Sequence, residues 1–279
     1  MDKKIMSKSK NNPVTHVAIV LDKSGSMNRT KTAAITGYNE QIQQLKANAK
    51  DGQEILVSLV TFTGNVYEHL WEVPVDQLQE ASAESYVPDG ATAMRDAVGY
   101  TVQKLLDTTD SKKENTAYLV IVISDGETNS DKFFKAKMIN ESGKMIEVNP
   151  LKELVESCQK TNKWTFTYMG CSEEYLKTIA EETAIPIANM AAWSNATEGQ
   201  TYGGIKMASC RSASYFKDRS EGLTSKLNYM DESGVACMDF TQCCAAPADV
   251  PPPVTTTTTS AATFANSTNA DWQKYAPRK

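Results

Sequence analysis

Five oxygen-bearing side chains stand at positions where they could together hold a metal ion. Asp22, Ser24 and Ser26 come directly after one predicted strand, and Asp125 comes directly after another. Thr92 lies in the loop before a predicted helix. Two carboxylates and three hydroxyls, without His or Cys, suit a hard divalent cation such as Mg²⁺. Because Mg²⁺ keeps several waters in an octahedral shell, this set leaves a position for an outside ligand.

Short β-rich runs alternate with helical periodicities along the chain. The predicted strands are 16–21, 54–62, 66–71, 117–123, 164–169 and 185–188. The predicted helices are 30–48, 93–107, one beginning at 150, 173–182 and one marked by Ile205, Ala208, Ser212 and Phe216. This alternation predicts a doubly wound α/β domain with a mostly parallel sheet, in which the hairpin formed by 54–62 and 66–71 supplies one antiparallel edge strand.

Two of these helices have predicted N-caps. Asn149 precedes Pro150, which suits the first position of a helix, and Ser172 precedes a first turn with two acids. Cys158 falls on the apolar face of the helix that begins at Pro150, so it is expected to be a buried free thiol.

The predicted topology brings the oxygen-bearing residues to one place. In an open α/β sheet, ligands bind beyond the carboxyl ends of the strands, where the strand order reverses. The segments that carry Asp22 and Asp125 both follow such strand ends, and the loop at 90–92 precedes the second helix. We therefore expect the five side chains to face one site.

These motifs resemble a known family. The run DKSGS at 22–26, the threonine of GAT at 90–92 and the aspartate of SDGE at 124–127 are similar, in the same order, to the von Willebrand factor A family. The resemblance covers roughly residues 14–220 and implies that family's doubly wound fold. Asp96 also resembles a recurrent acidic position of the family, where it would support the metal site; a solvated helix charge is the alternative.

In that family the motif set forms the metal-ion-dependent adhesion site (MIDAS). The resemblance implies that Ser24, Ser26 and Thr92 bind the metal through their hydroxyls. It also implies that Asp22 and Asp125 act on the metal directly or through water.

A metal held in this way would attract a further acid. Two carboxylates roughly balance a divalent ion and hydroxyls add no charge, so the metal stays electrophilic toward an Asp or Glu from a partner protein. The sequence thus predicts a Mg²⁺-dependent protein-binding module of adhesion or adaptor type, with Mn²⁺ as a possible replacement. Relatives in the family also serve as adaptors for ATP-driven machines.

Two other functions remain open at this point. The chain could be a structural component of a larger assembly, such as a virus particle or a surface appendage, with a C-terminal tail that tethers it to a neighbour. A Mg²⁺-dependent hydrolase is less favoured, because Ser24 stands where a phosphate-transferring aspartate enzyme carries its second Asp and because no P-loop is present. The two histidines, His16 and His69, are better explained by packing than by a catalytic triad. We therefore expect no enzymatic activity.

Composition limits the partners. The 279 residues carry 29 Lys and Arg against 34 Asp and Glu, a net charge of −5, which argues against nucleic acid as the main partner. No apolar run is long enough to span a membrane, and the first residues lack the apolar core of a secretory signal. These features predict a cytoplasmic protein, with association to a virion as an alternative. Six cysteines are too few for a disulfide-built scaffold.

The chain divides into five predicted parts. They are a polar lead (1–13), the α/β domain (14–220), an irregular extension (221–248), a Pro/Thr-rich spacer (249–263) and a possible docking tail (264–279). The tail carries Trp272 and Tyr275 among basic residues, and an unattached end with two incidental aromatics is the alternative.

Overall fold

The runs of β-branched and aromatic residues form strands, and the amphipathic segments between them form helices. The structure, a computed structural model, describes residues 13–49, 53–108, 115–126, 128–134, 137–139, 142–170, 173–192, 211–212, 214–221 and 268–269. Its helices are α1 (Lys31–Ala49), α2 (Met94–Leu106), α3 (Pro150–Gln159), α4 (Glu173–Thr183) and α5, the helical residues 211–212 and 214–220. Its strands are β1 (Val14–Asp22), β2 (Glu54–Phe62), β3 (Val66–Pro74), β4 (Thr116–Ile123), β5 (Lys137–Ile139), β6 (Met145–Glu147), β7 (Trp164–Gly170), β8 (Met190–Ala192) and β9 (Thr268–Asn269).

The main sheet has the order β8-β7-β4-β1-β2-β3-β9. Strand β1 lies at its centre and pairs in parallel with both β2 and β4, while β3 runs antiparallel to β2. The predicted fold class is thus confirmed: the sheet is mostly parallel, is flanked by helices and contains the predicted antiparallel hairpin. The chain leaves β1 toward β2 on one side and later enters β4 on the other, so the strand order reverses beside β1.

Successive side chains of the central strand point to opposite faces of the sheet, so the core has two layers. Val17, Ile19 and Leu21 face the layer that contains α1 and the aromatic pair Tyr215 and Phe216 of α5. The intervening residues of β1 face the layer that contains α2, α3 and the apolar residues of α4. Burial on both faces explains why β1 and β4 read as continuous apolar runs. In the part of the chain that the structure describes, no helix combines the length and apolarity needed to cross a bilayer.

The start of α3 follows the sequence prediction. The Asn149 side chain accepts a hydrogen bond from the Lys152 backbone N–H at 3.0 Å, which caps the helix, and Pro150 is its first residue. Cys158 is a buried free thiol, and burial raises its pKa to about 12. The second predicted cap, Ser172, lies outside the described residues.

Three local predictions differ from the structure. The strand predicted at 185–188 is wrong: Ile187–Asn189 forms a 3-10 turn and the strand is β8. The reason is that Pro186 lacks a backbone donor, while the Asn189 side chain donates to the Phe166 carbonyl at 3.0 Å and fixes the turn against β7. Strand β3 also continues to Pro74, three residues beyond its predicted end, and the small β5–β6 hairpin was missed because each strand has three residues.

Helix α5 is fastened to the base of the sheet by a buried guanidinium. Arg219 is 2% exposed and donates hydrogen bonds to Thr15 Oγ1 at 3.1 Å, the Val14 carbonyl at 3.0 Å and the Asn115 carbonyl at 2.8 Å. The Gln53 side chain also donates to the Phe216 carbonyl at 2.7 Å. These bonds tie the C-terminal helix to the beginnings of the central strands.

Replacing Arg219 should therefore destabilise the domain. Arg219→Met removes a buried guanidinium that donates to Thr15 Oγ1 and to the Val14 and Asn115 carbonyls, and we expect a loss of about 2–4 kcal/mol in the free energy of unfolding, measured by urea denaturation. Lys217→Met, on the exposed side of the same helix, is the matched control and should change stability by less than about 0.5 kcal/mol. Equal effects of the two variants would contradict a fastening role for Arg219.

Candidate metal site

The end of β1 brings three of the predicted ligands together. Asp22 is the last residue of β1 and is fully buried. Its Oδ1 accepts the Ser24 backbone N–H at 2.7 Å, which curls the chain around the carboxylate. The hydroxyl oxygens of Ser24 and Ser26 lie 3.1 Å apart, and Ser26 is exposed. The Tyr86 hydroxyl donates to the Asp22 carbonyl and holds the strand end from the other side.

The end of β4 joins this loop from the neighbouring strand. The parallel register pairs Leu21 with Ile123, so the residues that follow them are side by side. The Ser124 hydroxyl donates to Asp22 Oδ2 at 2.6 Å, and Asp125 is half-buried beside it. Gly126 has a φ of +100°, a conformation that side-chain-bearing residues rarely adopt, so glycine suits this position.

The loop before α2 closes against both strand ends. The Gly25 N–H donates to the Gly90 carbonyl at 3.0 Å, which joins this loop to the end of β1. The Thr92 N–H donates to Asn129 Oδ1 at 2.9 Å, and the Asn129 N–H donates back to the Thr92 carbonyl at 2.9 Å. Thr92 is 3% exposed. The segments that carry the five predicted ligands therefore meet at one edge of the sheet.

The electrostatics of the site centre on Asp22. The pKa of its carboxyl is raised to about 7, mainly by burial and to a smaller extent by the nearby negative charge of Asp125. Hydrogen bonds from Ser124 and Ser24 lower the pKa and only partly offset this burial. Within the described ranges, no Lys, Arg or His lies at ion-pair distance from Asp22. Such a carboxylate is stabilised by a proton or by a bound cation.

The donor set fits Mg²⁺ by its chemistry. Among the described residues, no group of three His, Cys, Asp or Glu side chains converges as a metal site. The arrangement offers instead two carboxylates, Asp22 and Asp125, together with neutral hydroxyls. Hard cations take oxygen ligands of this kind and complete their shell with water. The residues present therefore fit Mg²⁺, the ion that their motifs imply. The identity of the five ligands stays a prediction.

Asp96 is a buried hydrogen-bond acceptor and not a solvent-exposed charge on the helix surface. It is 1% exposed, and its carboxylate accepts the backbone N–H groups of Lys132 at 2.5 Å, Phe133 at 3.0 Å and Phe134 at 2.8 Å. The interpretation of Asp96 as a solvated charge was therefore wrong. Its carboxylate anchors to α2 the loop that follows Asp125.

Sequence reasoning missed several residues that build this edge. Ser124 holds the Asp22 carboxylate, Asn129 holds Thr92, and Tyr86 holds the end of β1. Asp131 Oδ1 accepts the Arg95 and Asp96 backbone N–H groups, which begin α2. The available signal was the polar run at 128–131, which follows directly after the motif at 124–127.

The two histidines make packing contacts. His16 stacks on Tyr118 with 5.2 Å between ring centroids, and its Nδ1 lies 2.7 Å from Glu72 Oε1. His69 Nε2 lies 2.8 Å from Thr61 Oγ1. These contacts agree with the packing roles expected for both residues.

Asp131 should make stability depend on pH. The pKa of its carboxyl is raised from 3.8 to about 6: burial is the main cause, a hydrogen bond from Thr128 partly offsets it, and the charge of Asp96 adds to it. The folded protein therefore holds a proton there that the unfolded chain releases above about pH 4, and this contribution to stability is lost as the pH rises through 6.

Asp131→Asn mimics the protonated carboxyl, so its stability relative to the wild type should rise between pH 4 and pH 7. We expect a relative gain of roughly 1–3 kcal/mol, measured by urea denaturation at each pH. Asp76→Asn, at an exposed position, should show no such trend. A difference between Asp131→Asn and the wild type that is constant over this range would contradict the expectation.

Comparisons with known proteins agree with this architecture. The model of the von Willebrand factor type A domain family matches residues 16–197, more than half of the chain. A comparison with curated proteins gives no match.

Solved structures resemble the fold at low sequence identity. The pilus adhesin SpaC from Lactobacillus rhamnosus GG is 13% identical over 77% of this chain, with a TM-score of 0.50, and the chain spans only 31% of its length. The vWF domain of the type V pili tip protein Mfa5 from Porphyromonas gingivalis is 9% identical, with a TM-score of 0.50 and coverage of 76% of this chain and 97% of that one. Proximal thread matrix protein 1 from the mussel byssus, solved with a zinc-occupied MIDAS motif, is 13% identical, with a TM-score of 0.40 and coverage of 71% and 46%.

Proposed function

Because the chain belongs to the von Willebrand factor type A domain family, we propose that it is an adhesion-type module that captures an acidic residue of a partner protein through Mg²⁺. The ligands that we propose for this ion are Asp22, Ser24, Ser26, Thr92 and Asp125. Domains of this family commonly bind a metal at the MIDAS. Mn²⁺ offers the same hard, octahedral chemistry and is an alternative ion.

One observation carries the proposal: Asp22 is buried at the meeting point of three loops without a cationic side chain of the described residues beside it. A divalent ion would balance its charge and that of Asp125. The exposed Ser26 leaves this edge open to solvent. A partner can therefore approach the carboxylates from the side on which Ser26 lies.

When bound, the ion would supply Lewis acidity toward a partner carboxylate. The chain's own residues set the geometry. Ser124 and the Ser24 backbone fix both oxygens of Asp22, and Asn129 fixes the backbone of Thr92 on two sides. Because these bonds hold the two loops in place, little ordering is needed when the ion and a partner carboxylate arrive.

Removing either carboxylate charge should abolish metal binding. Asp22→Asn and Asp125→Asn keep the shape of the side chain, so we expect loss of detectable Mg²⁺ binding in calorimetry with a circular dichroism spectrum like that of the wild type. Asp89→Asn, in the loop that contacts the end of β1, is the control and should bind Mg²⁺ within about twofold of the wild type. Wild-type-like Mg²⁺ binding by both Asp22→Asn and Asp125→Asn would refute the proposed site.

A second candidate is a structural component of a surface appendage. It is favoured by the two pilus proteins that share the fold and by the return of the C-terminal residues Thr268–Asn269 to the domain. The two functions differ in their need for metal. The predicted cytoplasmic location gains no support from this resemblance and stays a prediction.

A pull-down from host lysate separates the two candidates. The baits are the wild type and Asp22→Asn, each in Mg²⁺ and in EDTA. We expect a protein that is captured by the wild type in Mg²⁺ and lost in the other three conditions, because capture requires the ion. Capture that is indifferent to both changes would favour the structural role. Catalysis is not part of the proposal, and turnover of p-nitrophenyl phosphate or ATP that disappears in Asp22→Asn would contradict it.

A further inference from the structure

An exposed aromatic side chain lies beside the candidate metal site. Tyr175, in the first turn of α4, is 41% exposed. In the part of the chain that the structure describes, every other Phe, Tyr and Trp side chain is buried or half-buried. Tyrosine is also one of the residue types that protein interfaces favour, because its ring offers a large apolar face at a small cost in side-chain entropy.

Tyr175 packs against the segment that carries Asp125. A Cβ added to Gly126 would lie 3.6 Å from Tyr175 Cβ and 3.8 Å from its Cγ. The Gly126 N–H donates to the Ser124 hydroxyl at 3.2 Å, and the same hydroxyl donates to Asp22 Oδ2 at 2.6 Å. A short series of contacts thus connects the tyrosine to the buried carboxylate.

A second tyrosine holds the backbone on which Tyr175 packs. Tyr168 is 1% exposed, and its hydroxyl donates to the Ser124 carbonyl at 3.0 Å. The same hydroxyl would lie 3.3 Å from a Cβ at Gly126. Ser124 is therefore bound through both its side chain and its carbonyl, and the exposed ring of Tyr175 rests on a well-anchored turn.

The order of the strands gives the distance that a partner must cover. Strand β7 pairs in parallel with β4, and the Ser124 N–H donates to the Met169 carbonyl, so α4 begins at the same edge as the metal site. Strands β1 and β7 are two strands apart in the sheet, which corresponds to about 10 Å. An extended peptide advances about 3.3 Å per residue and crosses this distance in about three residues.

We propose that Tyr175 determines partner specificity by packing on an aromatic side chain two or three residues away from the acid that the metal captures. The inference rests on the proposed function and defines the partner more closely, as a protein segment in which an acidic residue has an aromatic neighbour at this spacing. The ion attracts any accessible carboxylate, whereas the tyrosine ring favours those with such a neighbour. Contact between two aromatic rings should raise the affinity by about two- to tenfold.

The test uses blocked synthetic peptides as probes of the full chain in Mg²⁺. Phe-Gly-Glu-Gly-Gly-Phe and Phe-Gly-Gly-Glu-Gly-Phe cover both spacings in both chain directions, and Gly-Gly-Glu-Gly-Gly-Gly is the reference. We expect the better Phe peptide to bind at least about threefold more tightly than the reference in titrations followed by peptide-observed NMR. Tyr175→Ala should remove this preference without changing the affinity for the reference peptide, and Tyr175→Phe should keep it.

Leu106→Ala is the matched control. Leu106 is 39% exposed, nearly as much as Tyr175, but it is the last residue of α2, about 18 Å along the helix from the end near the site. This variant should keep the wild-type preference. All three variants should bind Mg²⁺ within about twofold of the wild type in calorimetry, because none of them changes a proposed ligand.

The outcomes separate this inference from the proposed function. Equal binding of the Phe peptides and the reference by the wild type would overturn the role of Tyr175 and leave metal-dependent capture standing. The same would hold if Tyr175→Ala kept the preference. Binding of no peptide by the Mg²⁺-loaded protein would refute capture of an acid and the inference with it. Phe peptides that bind equally well in EDTA, or with Gln in place of Glu, would show apolar adhesion alone and would also overturn the proposal.

Discussion

The burial of one carboxylate at the end of the central strand is the constraint on which the site depends. Asp22 ends the central strand and is fully buried, so its carboxylate is removed from water. Hydrogen bonds from the surrounding loops partly offset the free-energy cost of this burial. The Ser24 backbone N–H donates to one carboxylate oxygen and the Ser124 hydroxyl donates to the other. The pKa of Asp22 nevertheless stays raised, because the hydrogen bonds do not fully compensate the carboxylate for its loss of water. A bound cation would stabilise the charged carboxylate further.

The fold places this carboxylate through its topology. Because β1 is covered by helical layers on both faces, its residues from Val17 to Leu21 are all apolar, and the first carboxylate comes at the strand end, Asp22. The reversal of strand order beside β1 then leaves room for the β4 loop and the α2 loop to reach the same point. Arg219 bonds to the opposite end of these strands, at the carbonyl of Val14, which begins β1, and at that of Asn115, which precedes β4. One end of the sheet is thus held by α5, and the opposite end carries the candidate metal site.

The features that repeat along the sequence could be predicted, and those set by single long-range contacts could not. Periodicity located the main helices and five of the six predicted strands, and the motif around Asp22 located the edge where the loops meet. The strand predicted at 185–188 failed because an Asn189 side chain bond to β7 overrides the local β preference. The structural roles of Asp96 and Asn129 depend on partners more than thirty residues away, and a single sequence carries no signal for such pairs.

The reciprocal bonds between Thr92 and Asn129 have a consequence for how the domain could transmit a signal. The two loops cannot slide independently, because moving either one breaks a donor and an acceptor at once. Three bonds from Asp96 couple the 132–134 part of the second loop to α2. A displacement at Thr92 would therefore strain the bonds to Asn129 and, through the loop, those that Asp96 of α2 accepts. The edge that carries the candidate site and the start of α2 are thus joined as one mechanical unit.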